Sequence, residues 1–384
     1  MDLLSSWLVY YLFSKWRILT ETEGNSSKTY SRIKMNLQDN PSNPIPASSP
    51  NRTSRIIKNT FGYLFAIACL IWVFHDIQFH EILSSMTNIH WSGVAIAIIF
   101  DILSYVCQGI RWRFLLKGVG DISTLKTTQA IYAGLFTNEL LPLRIGELVR
   151  AYLVSRWLSA DFVSVIPSMA VERLFDGVWL ALAIGIAAVF VPLPKDILEG
   201  EEILGVIVLL STVLFIYLIF REKKTHLDKN YEGPPGWKPF HLFRSLIGRL
   251  HVELQRIGSS RFMYISFFVS VFVLFFQIVS FWLVMIAYDL NLSFWAGAVV
   301  FLIVHLGTAI PNAPANVGTY QFFCVVGLSL YGVDKTPAAA FSIVVFVILT
   351  VPLWVIGFFA LNSTGMSLRA IRGEINKLLK REKR

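Results

Sequence analysis

Charge is what this sequence has least of: charged residues make up 15% of 384, and they are crowded between long apolar runs. So low a content, beside 55% hydrophobic residues, excludes an ordinary soluble domain. Cysteine is scarce too. Cys69, Cys107 and Cys324 all lie in apolar runs with neither disulfide-framework nor metal-ligand spacing, so they read as small buried hydrophobes. No histidine, cysteine and carboxylate cluster has metal spacing, there is no nucleotide-binding loop, and no Asp-x-Asp pair is placed for a metal–sugar nucleotide. No metal and no cofactor is therefore expected.

What is present is hydrophobic length. A bilayer core requires roughly 20 apolar residues per helix. The runs 60–77, 91–109, 166–192, 203–220, 262–287, 294–310 and 337–362 approach or exceed that, and they are solidly apolar, unlike the short alternating segments of a barrel. The expected fold is an all-α polytopic membrane protein. Loop 221–261 has nine Lys or Arg against four acids and the tail 369–384 has seven basic residues, whereas 76–90 and 288–293 have none. The positive-inside bias places both termini and that loop in the cytoplasm of a cell with the chain in its inner membrane. The net charge of +9 then marks topology and contact with anionic headgroups, not a nucleic-acid surface.

Residues 1–59 stand apart as an apolar stub and a Ser-, Asn- and Pro-rich linker expected to be disordered, with Met35 an alternative start. The remainder divides into a first membrane repeat at 60–192, a second at 193–362 that includes the basic loop, and a tail at 363–384. Counting crossings from a cytoplasmic N-terminus leaves two segments that enter and leave on one side. The first, 126–158, is broken at LLPLRIGE, and the second, 294–333, at AIPNAPANVGTY. Each half is then two crossings, a broken hairpin and one more crossing, started from opposite sides. About six full crossings and two re-entrant hairpins make an inverted repeat, or more spans if each arm crosses fully. Pro142 and Gly146 answer Pro311 and Gly318, and Pro167 and Pro337 each open the next helix.

Paired broken helices place a transporter's substrate near the membrane midplane. Helix starts at Gly146 and Gly318 would offer amides and a positive dipole end to an anion. Around the first break stand Glu139, Arg144, Glu147 and Arg150, and the following helix adds Glu172, Arg173 and Asp176. Intramembrane ionisable groups cost at least about 2–3 kcal/mol each, so several together indicate a site. Two accounts stay open. Either the charges neutralise one another structurally, or Arg144, Arg150 and Arg173 hold a lipid phosphate while Glu139, Glu147 and Asp176 orient them. Around the second break, marked by Pro311 and Gly318, His305, Asn312, Asn316, Thr319 and Gln321 form a neutral polar lining suited to a headgroup such as a sugar or glycerol. Asp101 is expected to pair with Arg111 or Arg150, and His305 to be hydrogen-bonded within its arm.

The stretches QGIRWRFLL at 108–116, NELLPLRIGELVRAYLV at 138–154, AVERLFDGVWL at 170–180 and IPNAPANVGTYQFFCVVGLSLYGVD at 310–334 together resemble the flippase-like family of lysylphosphatidylglycerol synthase transmembrane regions. The likeness covers roughly 60–362. It implies a multi-pass inner-membrane protein handling phospholipid or polyprenyl-phosphate-linked lipids. Full-length synthases transfer the aminoacyl group on a separate soluble domain, and the longest cytoplasmic loop here has about 41 residues, so aminoacyl transfer is in doubt. The turn also departs from the family pattern, with Asn-Ala-Pro-Ala-Asn-Val-Gly where PxxPGGxG is typical. Three functions follow: a translocator for an anionic lipid, a transferase acting on a lipid with Glu139, Glu147 or Asp176 as base, or a non-catalytic partner of a lipid-modifying enzyme docked through loop 221–261.

Overall fold

The computed structural model describes residues 52–75, 89–141, 145–191, 260–309 and 314–365, with Leu210, Ile257 and Gly373 as single positions. Regular structure among these residues is all helical: α1 (Arg52–Phe74), α2 (Trp91–Leu115), α3 (Thr124–Leu140), α4 (Gly146–Leu158), α5 (Phe162–Phe190), α6 (Arg261–Ala287), α7 (Phe294–Ala309), α8 (Thr319–Ser329) and α9 (Lys335–Asn362). Helix satisfies every backbone group within its own segment, which is what a water-free surrounding requires of apolar sequence. α2, with the 3-10 turn that continues it, α6 and α9 are each long and apolar enough to cross a membrane. α5 is as long and carries Glu172, Arg173 and Asp176 up to its middle. Its start at Phe162 precedes the expected 166, so Pro167 lies inside the helix; Pro337, by contrast, falls in the first turn of α9, where its missing N–H costs nothing. The stub and linker before residue 52, the expected crossing 203–220, most of the basic loop and most of the tail lie outside the described residues.

α2 and α6 form the central pair. Ser280 donates to the Ala97 carbonyl at 2.8 Å and Ser266 to the Arg111 carbonyl at 3.1 Å, while the Phe100 and Phe276 rings meet at 5.7 Å. One number falls as the other rises, so the helices run antiparallel. Serines at the seam let the backbones approach and carry hydrogen bonds where hydrophobic burial gives little selectivity.

Both expected breaks are helical hairpins. α3 packs on α4, and α7 on α8. The contacts of Gly307 with the Phe323 ring and of Gly327 with Val300 again run in opposite directions. The first hairpin is closed by two glycines: a Cβ at Gly146 would collide with the Gly134 carbonyl oxygen, and one at Gly134 would meet the Gly146 carbonyl at 2.8 Å. The arms of 13 and 11 residues, α4 and α8, fall short of a bilayer core. In the second turn Ala315 (φ 57°), Asn316 (φ 54°) and Gly318 (φ 90°) all have left-handed backbone. Ala315 and Asn316 are the positions where the typical family turn carries its glycine pair, which gives that pair a steric reason.

Two stability changes follow. Gly146→Ala should separate the arms and cost about 1–3 kcal/mol, the range for overpacking. Ala315→Gly should raise stability by about 1 kcal/mol, by relieving a left-handed alanine. Thermal melting of the detergent-solubilised protein reads both.

Candidate functional site

Six side chains from three helices close into a ring of alternating charge. Arg111 of α2 reaches Glu172 at 3.3 Å and also Asp176, both on α5. Glu172 bonds Arg150 of α4 at 2.6 Å, and Arg150 lies 3.0 Å from Glu147 one turn back, an ionic contact off the hydrogen-bonding direction. Glu147 takes Arg173 of α5 at 2.9 Å, and Arg173 returns to Asp176 at 3.3 Å, closing the circuit. Each arginine thus touches two carboxylates and each carboxylate two arginines, so the formal charge sums to zero.

Local sequence explains the arrangement. Glu172 and Asp176 stand four apart on α5, one turn, and so face α2 together. Glu147 and Arg150, three apart, occupy the first turn of α4 beyond the Gly146 break. Trp112 completes the mount: its indole donates to Ser168 at 2.9 Å, and its ring lies 4.6 Å under the Arg150 guanidinium. Ser270 of α6 accepts from Arg111 at 3.2 Å.

Burial grades round the ring. Glu172 is wholly buried and Arg111 is 2% exposed, whereas Arg173 keeps 57% of its side chain accessible. Guanidinium forks suit both carboxylate and phosphate oxygens. The deep half is fixed by hydrogen bonds in low dielectric, and the outer half, around Arg173, is accessible from outside the bundle. His305 of α7 lies within electrostatic reach of Asp176, so the second hairpin borders the same corner.

Of the residues singled out from sequence, Gly146, Glu147, Arg150, Arg173 and Asp176 come together here. Arg144, Pro311 and Asn312 lie outside the described residues. Glu139 is elsewhere, near the end of α3 and beside Trp354 of α9. Asn316, Gly318 and Thr319 form the second turn, where the Thr319 hydroxyl donates to the Asn316 carbonyl at 2.9 Å. The amides expected to await an anion are already engaged at their first position: Gly146 N–H donates to Asn138 Oδ1 and Gly318 N–H to Gln321 Oε1, each at 2.7 Å. Neither Arg111 nor Arg150 pairs with Asp101; both belong to the ring, and Asp101 is ten residues, about 15 Å, from Arg111 along α2. Arg111, expected as a partner of Asp101, and Glu172, expected only beside the site, become the ring's deepest pair through the fold. Among the described residues no group of metal-ligating side chains gathers.

This is a multi-pass helical membrane protein with an ionic cluster where a broken hairpin meets its neighbours. The family model for the lysylphosphatidylglycerol synthase TM region matches residues 59–357, and the chain belongs to that family. It is 22% identical over 306 residues to a UPF0104 membrane protein of Methanocaldococcus jannaschii, covering 75% of this chain and 90% of that one. A UPF0104 membrane protein of Methanothermobacter thermautotrophicus is 24% identical over 73% of this chain and 85% of its own. Glycosyltransferase AglD of Haloferax volcanii is 30% identical over 139 residues, 36% of this chain and 22% of that longer protein.

Glu172→Gln should leave Arg111 and Arg150 short of a buried counter-charge and destabilise by about 3–5 kcal/mol. Loss of folded protein on detergent gel filtration after heating checks it, and a melting point equal to wild type would contradict it.

Proposed function

We propose that the protein is a membrane lipid translocator, acting on an anionic phospholipid or a polyprenyl-phosphate-linked lipid, in the cytoplasmic membrane with both termini inside. The observation that carries this reading is Arg173, more than half exposed yet held by two part-exposed carboxylates in a ring whose other three members, Arg111, Arg150 and Glu172, are buried. A headgroup phosphate has the charge and the oxygen geometry to take over one of those contacts. Arg144, Arg150, Gly146 and the second turn at Asn316, Gly318 and Thr319 would complete the binding surface as the hairpins move.

The translocator reading includes an inverted repeat, in which α2, the first hairpin and α5 correspond to α6, the second hairpin and α9. Packing supports it. α3 lies on α2 as α7 lies on α6; α4 lies on α5 as α8 lies on α9; α3 meets α9 as α7 meets α5; α2 meets α5 as α6 meets α9; and α6 meets α5 as α2 meets α9. The antiparallel α2–α6 pair is what a two-fold axis in the membrane plane requires. Short arms support re-entrance, because α4 and α8 could not cross alone.

The similarity to a glycosyltransferase favours a second reading, a transferase acting on a lipid, or a partner of one. Against it, the oxygens of Glu147 and Asp176 are each already engaged by two arginines. Proteoliposomes carrying headgroup-labelled anionic lipid decide the matter. Arg173→Ala should leave folded protein nearly unchanged, by no more than about 1 kcal/mol, and slow lipid redistribution about tenfold to a hundredfold, the size of one lost charge-assisted contact. Leaflet distribution unchanged from empty vesicles across several lipids would defeat the proposal, and a covalently altered lipid formed in the presence of a sugar or aminoacyl donor would favour the second reading.

A further inference from the structure

Asp101 sits near the middle of α2, eleventh of its 25 residues, and is 6% exposed. No described residue forms an ion pair with it. The Ser104 hydroxyl, which could serve its carboxylate, donates at 2.7 Å to its backbone carbonyl instead. A carboxylate so placed, ionised and unpaired, costs several kcal/mol.

Its neighbours are phenols. Tyr105 follows one turn along α2, Tyr132 comes from α3 in the first hairpin and Tyr320 from α8 in the second, all within electrostatic reach of Asp101. Tyr105 and Tyr132 pack with ring centroids 5.1 Å apart, and Glu139 is within reach of Tyr105. Cys324 of α8 lies beside Tyr320. The Tyr132 hydroxyl and one Glu139 oxygen are buried without a hydrogen-bond partner among the described residues. Of the other helices packed on α2, α6 brings the Phe276 ring and no ionised group to this level, α9 brings Trp354 to Glu139, and the charges of α5 are spent in the ring. A buried acid, a second acid and three phenols are thus gathered, and among the described residues no cation pairs with Asp101.

We propose that Asp101 is an exchangeable proton site at mid-membrane whose charge both hairpins read. The neutral acid donates its O–H to one phenol. On release of that proton to water the carboxylate accepts hydrogen bonds from Tyr105, Tyr132 and Tyr320, drawing α2, the first hairpin and the second onto one anion. Uptake of a proton from water on the other side reverses this. As a coupling device the site rests on the translocator reading, since it would set that process against a proton gradient.

Infrared titration of the full chain in vesicles tests the site without any transport. Wild type should show a protonated-carboxyl carbonyl band that bleaches reversibly as pH rises, is lost in Asp101→Asn and is kept in Glu139→Gln. Because asparagine imitates the neutral acid, Asp101→Asn should accumulate normally. A wild type without such a band, or a band that survives Asp101→Asn, overturns the proposal. In lipid-redistribution vesicles a pH gradient should alter the wild-type rate and leave Asp101→Asn indifferent, and wild-type movement that ignores the gradient overturns the coupling. If lipid moves in none of the vesicles, the translocator reading falls, and the infrared band still decides whether Asp101 binds the proton.

Discussion

Six ionised groups share one corner of an apolar helix bundle, and they can do so because each lies against partners of opposite charge. An isolated ion moved into such surroundings carries a desolvation cost of several kcal/mol, and a single pair recovers it only with good geometry and satisfied lone pairs. In the ring every carboxylate is flanked by two guanidinium groups; the deepest, Glu172, is served from two helices, by Arg111 of α2 and Arg150 of α4, and Arg111 in turn by two carboxylates of α5. α2, α4 and α5 are therefore held in register by charge as well as by shape. The arrangement tolerates little subtraction at its base and more at its rim, where Arg173 is half in the open.

The hairpins depend on a second constraint, that backbone exposed at a break must be satisfied by protein. Both breaks meet it by the same chemistry from different sequence positions. Asn138 reaches forward eight residues to the Gly146 amide, and Gln321 reaches back three to that of Gly318. The first amide of each new helix is thus capped at rest. An anion approaching either helix start meets the dipole, and must compete with a side-chain amide, a neutral partner weaker than a phosphate.

How much of this could be read from sequence follows the range of the interactions. The long apolar runs and the two breaks are local signals, and α2, α6, α9 and both hairpins lie close to where periodicity and glycine–proline punctuation place them. The first hairpin's charges were legible as a group because LPLRIGELVR and VERLFDG are each short. Arg111 was not, since nothing within a few residues distinguishes a guanidinium buried under α5 from one that faces headgroups. Asp101 was misjudged for the same reason: an acid in an apolar run implies a cation, and the cations in reach on paper were engaged elsewhere in space. Asn138 looks like an ordinary polar residue until Gly146 is brought to it, and Gln321, legible as part of a polar lining, is instead spent on the Gly318 amide.

The proposed repeat is symmetric in packing and asymmetric in chemistry, and the asymmetry is informative. Aligning Gly146 with Gly318 sets Thr319 against Glu147 and Phe322 against Arg150. Aligning Pro167 with Pro337 sets buried Ser342 against Glu172, and Phe346, packed on Tyr320 at 5.3 Å, against Asp176. The second half has no counterpart to the ring at these positions. A device with equal anion grips on both sides would hold its guest equally in either state, and the guest would not shift the balance between them. With one charged and one neutral hairpin, the proposed translocator would bind its guest with different strength in its two arrangements, the differential interaction that any ligand-driven shift between conformations must have.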